Sequence, residues 1–378
     1  MPRVLARLDS SLHNATWSFH CGGLPPDVLR AADPLRLIDE LTRPTPRPWV
    51  GYFSYDCGRS FERLPARAVD DLGLPAVAFM RFGDEPAREL ADRPAPHTKI
   101  PLRSTFTRDA YLHAVERVLD YIRGGDVYQI NLSQRFTLPL PCAPIEIYER
   151  LRRDAPAAYG AYLDFGDFQI ISNSPELFLR IEPLPDGTRR ITTRPVKGTR
   201  PRRPGMETEL RDSTKDQAEL AMIVDLERND LGRVCEVGSV RVVEPRVIEA
   251  HPTVYHGVAT IEGILRDDVL LLDVLRATFP SGSVTGAPKI RAMQIIDELE
   301  PVRRGPYCGA IGYVSPAGII EFNVAIRTMI VKDGQVHIPV GGGIVADSDP
   351  GAEYEETLVK AKAMFAALGV DAPSSLHV

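Results

Sequence analysis

The period of the hydrophobic positions changes several times along the 378-residue chain, and each change predicts an element. Trp49-Val-Gly-Tyr-Phe-Ser-Tyr55 is β-branched and aromatic and predicts a strand, as do residues 168–172, 177–181 and 190–193. From Thr107-Arg-Asp-Ala the period turns helical, with Tyr111, Val115, Val118, Leu119 and Ile122 in register and Gly124-Gly125 as the stop. Alternation returns over residues 127–136 and puts Gln129, Asn131, Ser133 and Arg135 on one polar face. A helix is expected from about residue 215 to 231, with Thr214-x-x-Gln217 resembling a capping box and Gly232 as its stop. Another starts at Asp349-Pro350, an N-cap followed by a good first-turn residue, and carries the apolar stripe Tyr354, Leu358, Ala361, Phe365, Leu368. Further strands are expected at 239–244, 254–264, 307–314, 319–327, 329–332 and 335–340. Short strands joined by tight turns favour antiparallel sheets with helices outside, an α+β layout, over a doubly wound parallel sheet. Proline-rich stretches at 43–48 and 85–101 divide a β-rich N-terminal portion, 1–95, from a main body, 102–378, expected to form one intertwined unit.

Composition narrows the partners. The chain is 44% hydrophobic with 45 basic against 51 acidic residues, net −6, and its one long basic run lies at 189–203. That balance argues against a nucleic-acid partner, whose binding rests on phosphate neutralisation. The five cysteines are odd in number and widely spaced, without a CxxC pair, which suits a reduced cytoplasmic protein. Met1 leads into Pro-Arg-Val, and no run approaches the ~18 apolar residues of a membrane span.

Candidate chemistry gathers at a few places. Lys197 stands between a β-branched residue and a Gly-Thr turn in an Arg/Pro-rich segment, where a lysine is ordinarily a solvated charge. It becomes a nucleophile only if its neutral amine is populated, which desolvation and nearby cations promote. Asp216 and Glu219 are i, i+3 on one predicted helix. Glu353, Glu356 and Lys360 fall within about 60° of one another on the other. Acids in a first helical turn commonly just complement the helix dipole. Two such pairs beside apolar stripes also suit a hard cation, Mg²⁺, held by carboxylate and water oxygens. Phe279-Pro-Ser-Gly-Ser-Val-Thr-Gly-Ala-Pro-Lys leads into a helix start suited to an anion, without P-loop spacing. Gly341, Gly342 and Gly343 allow close backbone approach but lack dinucleotide-site spacing. Arg327 can clamp a carboxylate in a forked geometry. His256, alone between strand residues, reads first as structural.

In their order these segments resemble the chorismate-utilising enzymes over residues 102–370. The resemblance rests on Ser174-Pro-Glu, Pro195-Val-Lys-Gly-Thr-Arg-Pro-Arg, Ile223-Val-Asp-Leu-Glu-Arg-Asn-Asp-Leu-Gly-Arg, Ser283-Val-Thr-Gly-Ala-Pro-Lys and Gly341-Gly-Gly-Ile-Val-Ala-Asp-Ser-Asp-Pro. Gly51-Tyr-Phe-Ser-Tyr-Asp resembles the family's opening region more loosely. It implies two antiparallel sheets packed face to face with helices outside, in α/β/β/α layers. It implies that Asp216, Glu219, Glu353 and Glu356 hold Mg²⁺ against the substrate's ring carboxylate, Asp216 through water. Tyr307, Arg327, Gly341 to Gly343 and Lys360 are implied to bind substrate carboxylates. Thr199, His256 and Ser283 are implied to line the ring pocket, and Glu176 to be the general acid for the departing 4-hydroxyl.

Two positions discriminate within the family. Relatives that add water carry a lysine where this chain has Gln129, and glutamine cannot take a proton from water at neutral pH. Anthranilate synthases resemble one another in a small residue where this chain has Lys197, whereas aminodeoxychorismate synthases have lysine. The resemblance therefore implies a covalent Lys197 adduct at C2, displaced by ammonia at C4 to give 4-amino-4-deoxychorismate, on the route to 4-aminobenzoate and folate. No glutaminase motif is readable, so a separate glutamine amidotransferase partner is implied as the ammonia source. Anthranilate synthase component I and a non-catalytic chorismate-binding paralogue are the alternatives.

Overall fold

Strand after strand in this chain is apolar on both faces, and the computed structural model shows why: each sheet is covered on one side by helices and on the other by its partner sheet. The structure describes residues 4–10, 15–20, 27–31, 34–43, 46–81 and 101–371. Apart from its final residue, the proline-rich stretch at 85–101 lies outside them. In Trp49–Phe53, Val50 and Tyr52 join a core cluster shared with Ala161, Leu163 and Ile170 of the other sheet, while Trp49 and Phe53 pack in the helix-side core. Tyr52 meets Phe165 and Phe168 edge-on at 5.7 and 6.2 Å across that inter-sheet layer. Successive side chains point to opposite faces, so double burial erases the usual alternation.

Among the described residues every strand ladder is antiparallel, with one isolated parallel bridge between Val69 and Val302. The first sheet runs, edge to edge, Gly286–Ala287, Gln129–Pro139, Gln335–Ile344, Thr328–Lys332, Phe168–Ser174, Tyr159–Asp164, Val4–Ser10 and Ala15–His20. The second runs Val196–Pro201, Val254–Leu265, Arg189–Arg194, Leu177–Pro183, Ile320–Val324, Ala310–Val314, Trp49–Phe53, Val77–Arg81 and Asp27–Ala31, with Arg241–Ala250 along the far side of Val254–Leu265. Strands from the first 81 residues thus enter both sheets. The helices Arg108–Arg123, Pro144–Asp154 and Pro350–Leu368 cover the first sheet, and Thr214–Gly232 covers the second, with Leu271–Thr278 packed against that helix. This is the expected α/β/β/α layering. Among the described residues no helix is long and apolar enough to cross a membrane.

Three local expectations shift. Lys197 lies on the strand Val196–Pro201, and the Gly-Thr turn is instead a break in register between Val196 and Thr199. The Thr214–Gly232 helix is capped by Ser213, whose hydroxyl accepts from the Asp216 amide, one residue before the expected Thr214. Gly232 ends that helix but is followed by Arg233 in right-handed geometry rather than forming a left-handed cap. Asp349 caps the last helix as expected, accepting from the Ala352 amide at 2.8 Å.

Candidate active site

One cavity of about 980 Å³ opens where the Val196–Pro201 strand, the glycine end of Gln335–Ile344 and the acid-bearing faces of the helices Thr214–Gly232 and Pro350–Leu368 meet. All the expected positions line it except Gln129, Gly342 and Glu353. Gln129 is fully buried behind Gly343, whose absent side chain leaves room for the Gln129 amide, and both its side-chain polar atoms lack partners among the described residues. Gly342 faces the last helix instead: a Cβ there would sit 3.3 Å from Glu353 Oε2 and 3.6 Å from Glu356 Oε1. The expected anion site at the start of Lys289–Leu299 does not line the cavity, and Lys289 is paired with Asp230.

Lys197 is placed by the Val254–Leu265 strand, which pairs with Arg189–Arg194 and then with Val196–Pro201 along one edge. Gly198, at φ 80°, takes a left-handed conformation that glycine adopts freely. The Lys197 side chain is half-buried, and its amine donates to the Ser283 carbonyl at 3.4 Å. Burial holds its pKa below the ordinary lysine value against the raising influence of Glu219 and Glu176. Glu176 follows Ser174-Pro175 between two strands, where the Ser174 hydroxyl accepts from its amide at 3.2 Å. Its carboxyl is buried, with Oε1 unpartnered among the described residues. Burial raises its pKa to about 7, opposed by Ser283, Lys197 and Arg327. Nucleophile candidate and acid candidate therefore meet at Ser283.

The cationic walls differ in availability. Arg304, which sequence reasoning missed, is wholly engaged: it donates to Glu300, to the Val284 and Asn131 carbonyls, and stacks 4.6 Å from Tyr55. Arg327 is buried in the cavity wall without an ion pair among the described residues, and burial lowers its pKa. Its φ of 50° places a non-glycine residue in the left-handed region, a cost of about 1–3 kcal/mol typical of constrained functional positions. Lys360 donates to the Gly341 carbonyl at 3.0 Å. Tyr307 is buried, which raises its phenol pKa. His256 is buried beside the Thr199 hydroxyl at 2.9 Å, and burial first, then Arg327 and His251, depress its pKa to about 3, so it is neutral.

The four acids are oxygen donors of the kind a hard divalent cation prefers. Glu353 Oε1 accepts from Ser348 at 2.6 Å, while Oε2 is buried without a partner among the described residues. Each of the others faces a cation: Glu356 meets Lys360 at 2.7 Å, Glu219 meets Lys215 at 3.9 Å, and Asp216 accepts from Arg200 at 3.1 Å. Burial raises the pKa of Glu219 and Glu353; at Glu356 the same effect is outweighed by Lys360, and the net shift is downward. Among the described residues no three acids converge closely enough to hold an ion as they stand. The donor chemistry and the orphaned Glu353 oxygen fit Mg²⁺; bringing the set together requires a ligand or the ion to displace Lys360, Lys215 and Arg200.

Comparison with known proteins identifies the family and the fold. A family model for chorismate binding enzymes matches residues 13–366. The chain is 43% identical over 360 residues to anthranilate synthase component 1 of Thermus thermophilus, covering 84% of this chain and 77% of that one. It is equally 43% identical over 343 residues to aminodeoxychorismate synthase component 1 of Salmonella typhimurium, covering 82% and 74%. The crystal structure of anthranilate synthase component I from Streptococcus pneumoniae shares the fold with a TM-score of 0.78 at 30% identity, covering 96% of this chain and 90% of that chain.

Proposed function

The chain belongs to the chorismate binding enzyme family, and on that premise we propose that it converts chorismate and ammonia to 4-amino-4-deoxychorismate. Relatives named for this activity and for anthranilate synthesis are equally similar, so overall identity does not choose between them. The observation that carries the reading is Lys197, whose amine lines the cavity with a lowered pKa and reaches the Ser283 carbonyl, near a Glu176 carboxyl whose pKa is raised. The small residue that anthranilate synthases resemble one another in having there would leave space for ammonia at C2.

In this reading the neutral Lys197 amine attacks C2 while Glu176 gives its proton to the 4-oxygen, which leaves as water. Ammonia then adds at C4, the bond from Lys197 to C2 breaks, and the proton shed by the new amine returns to Glu176. Arg327 and Tyr307 face the substrate carboxylates, with the Gly341 and Gly343 backbone permitting close approach. Neutral His256, oriented by Thr199, borders the ring. Glu219, Glu353 and Glu356, with Asp216 in support, would hold Mg²⁺, which when bound neutralises the ring carboxylate amid these acids. Ammonia comes from a glutamine amidotransferase partner, with free ammonium as its substitute in vitro. The test is Lys197→Ala assayed with chorismate, Mg²⁺ and ammonium: aminodeoxychorismate formation is lost, and the vacated space diverts some substrate to anthranilate. An alanine variant that still makes aminodeoxychorismate at the wild-type rate contradicts the reading.

A further inference from the structure

Behind the acid lies a second carboxyl that the reaction described above does not use. On the Thr214–Gly232 helix, Leu220, Ile223, Val224, Glu227 and Leu231 form the inward face, so Glu227 points into the protein where a hydrophobe is expected. It is 5% exposed. The Thr193 hydroxyl donates to its Oε2 at 2.9 Å and the Ser281 hydroxyl to its Oε1 at 3.2 Å. Ser281 Oγ lies 3.0 Å from Ser283 Oγ, and Ser283 in turn interacts with the Glu176 carboxyl. A void of about 10 Å³ adjoins Glu227 and Asp230.

Counting hydrogens gives this chain a direction. Each serine has one proton to donate. If Ser281 donates to Glu227, then Ser283 must donate to Ser281, and Glu176 must itself carry the proton it shares with Ser283. With every bond reversed, the proton resides on Glu227 and Ser283 donates to an ionised Glu176. With both carboxyls protonated, Glu227 donates to Ser281, Ser281 to Ser283 and Ser283 to Glu176, which leaves the proton on Glu176 itself free for the substrate. Two like charges buried this near each other disfavour joint ionisation. Burial first, then Glu176, raises the Glu227 pKa to about 8. The other charged groups around it are Asp230 on its own helix and Lys289, which is paired with Asp230.

We propose that Glu227 is an interior proton store that reloads Glu176 through Ser281 and Ser283, and so acts on the reaction without touching substrate. The proposal rests on Glu176 being the acid. When Glu176 gives its proton to the departing 4-oxygen, Ser283 passes its proton to Glu176, Ser281 replaces it, and Glu227 supplies Ser281. The negative charge moves to Glu227, away from the anionic substrate. The proton shed as ammonia adds returns along the same path, so no proton is gained or lost over the cycle.

The test measures chorismate loss with Mg²⁺ and ammonium across pH for wild type, Glu227→Gln, Ser281→Ala, their double variant and Thr193→Val. The first two variants are expected to lose kcat about tenfold, with KM for chorismate within about twofold, because the defect lies in proton supply rather than binding. Their alkaline limb moves to lower pH: Glu227→Gln removes a like charge near Glu176, and Ser281→Ala frees Ser283 to donate permanently to it. The double variant is no worse than either single one, since both cut the same chain. Thr193→Val, which removes a bond to Glu227 outside the relay, keeps the wild-type limb. Wild-type kcat and limb in Ser281→Ala overturn the proposal, whether or not Glu227→Gln folds. Equal losses in Glu227→Gln and Thr193→Val with an unmoved limb overturn it as well, by showing a merely structural role. Reading chorismate loss keeps the result separate from product identity: a wild type making anthranilate would end the assignment above and leave the relay standing.

Discussion

Burial acts on Lys197 and Glu176 in opposite directions of pKa and to one chemical end, since it favours the neutral form of both. A neutral amine can attack, and a protonated carboxyl can donate. The two requirements oppose each other in pH. The neutral Lys197 fraction grows as pH rises, while the acid form of Glu176 is lost as pH passes about 7. The kcat/KM profile should therefore be bell-shaped with an alkaline limb near that value, and a pH series with free ammonium checks it after correction for the ammonia fraction. Glu176→Gln should cut kcat by about 10²–10⁴-fold, the usual worth of a positioned general acid, with little change in KM. Steady-state kinetics measure both, and a wild-type kcat in that variant would remove Glu176 from the chemistry.

At the scale of elements, the Val196–Pro201 strand and the helix beginning at Thr214 meet at Gly198. A Cβ at Gly198 would lie 2.6 Å from Leu210 Cδ1 and 2.8 Å from Asp216 Cγ, and the φ of 80° would strain any other residue. Gly198→Ala should destabilise the protein by about 1–3 kcal/mol in denaturant unfolding. It should also raise the Mg²⁺ concentration needed for half-maximal activity, because Asp216 must shift. Much of this arrangement was legible beforehand. Asp349-Pro350 announced a helix start, and the spacing of Glu353, Glu356 and Lys360 announced a shared face, now seen as a pair at 2.7 Å. Lys197 was misplaced in a turn because a glycine that breaks register inside a strand and one that ends it look alike in sequence. Sheet order was unreadable, since Val254–Leu265 pairs with strands some 60 residues earlier through contacts that local pattern does not encode. Glu227 left a signal that went unused: it falls in the helical register of Leu220, Ile223 and Leu231, so an acid was due to be buried.

The whole molecule stores these buried neutral groups at a cost in stability that depends on pH. Glu176 and Glu227 have folded pKa values raised from 4.5 to about 7 and about 8. Their contribution is present below about pH 4.5 and is lost as pH rises through those folded values. His256 and His337, lowered from 6.5 to about 3 and about 4, favour folding above pH 6.5 and lose that contribution as pH falls towards the folded values. Glu227→Gln should therefore gain melting temperature relative to wild type as pH rises from about 5 to about 9, and a gap that does not widen would mean Glu227 is ionised in the folded state. Chelation should abolish turnover and added Mg²⁺ restore it; full activity in excess chelator would remove the four acids from metal binding. The central claim, that Lys197 directs the amine to C4, is tested most directly by the product of the unmodified protein. Incubated with chorismate, Mg²⁺ and ammonium and resolved by mass and absorbance, the mixture should contain 4-amino-4-deoxychorismate as the main product, and anthranilate in its place would contradict the account.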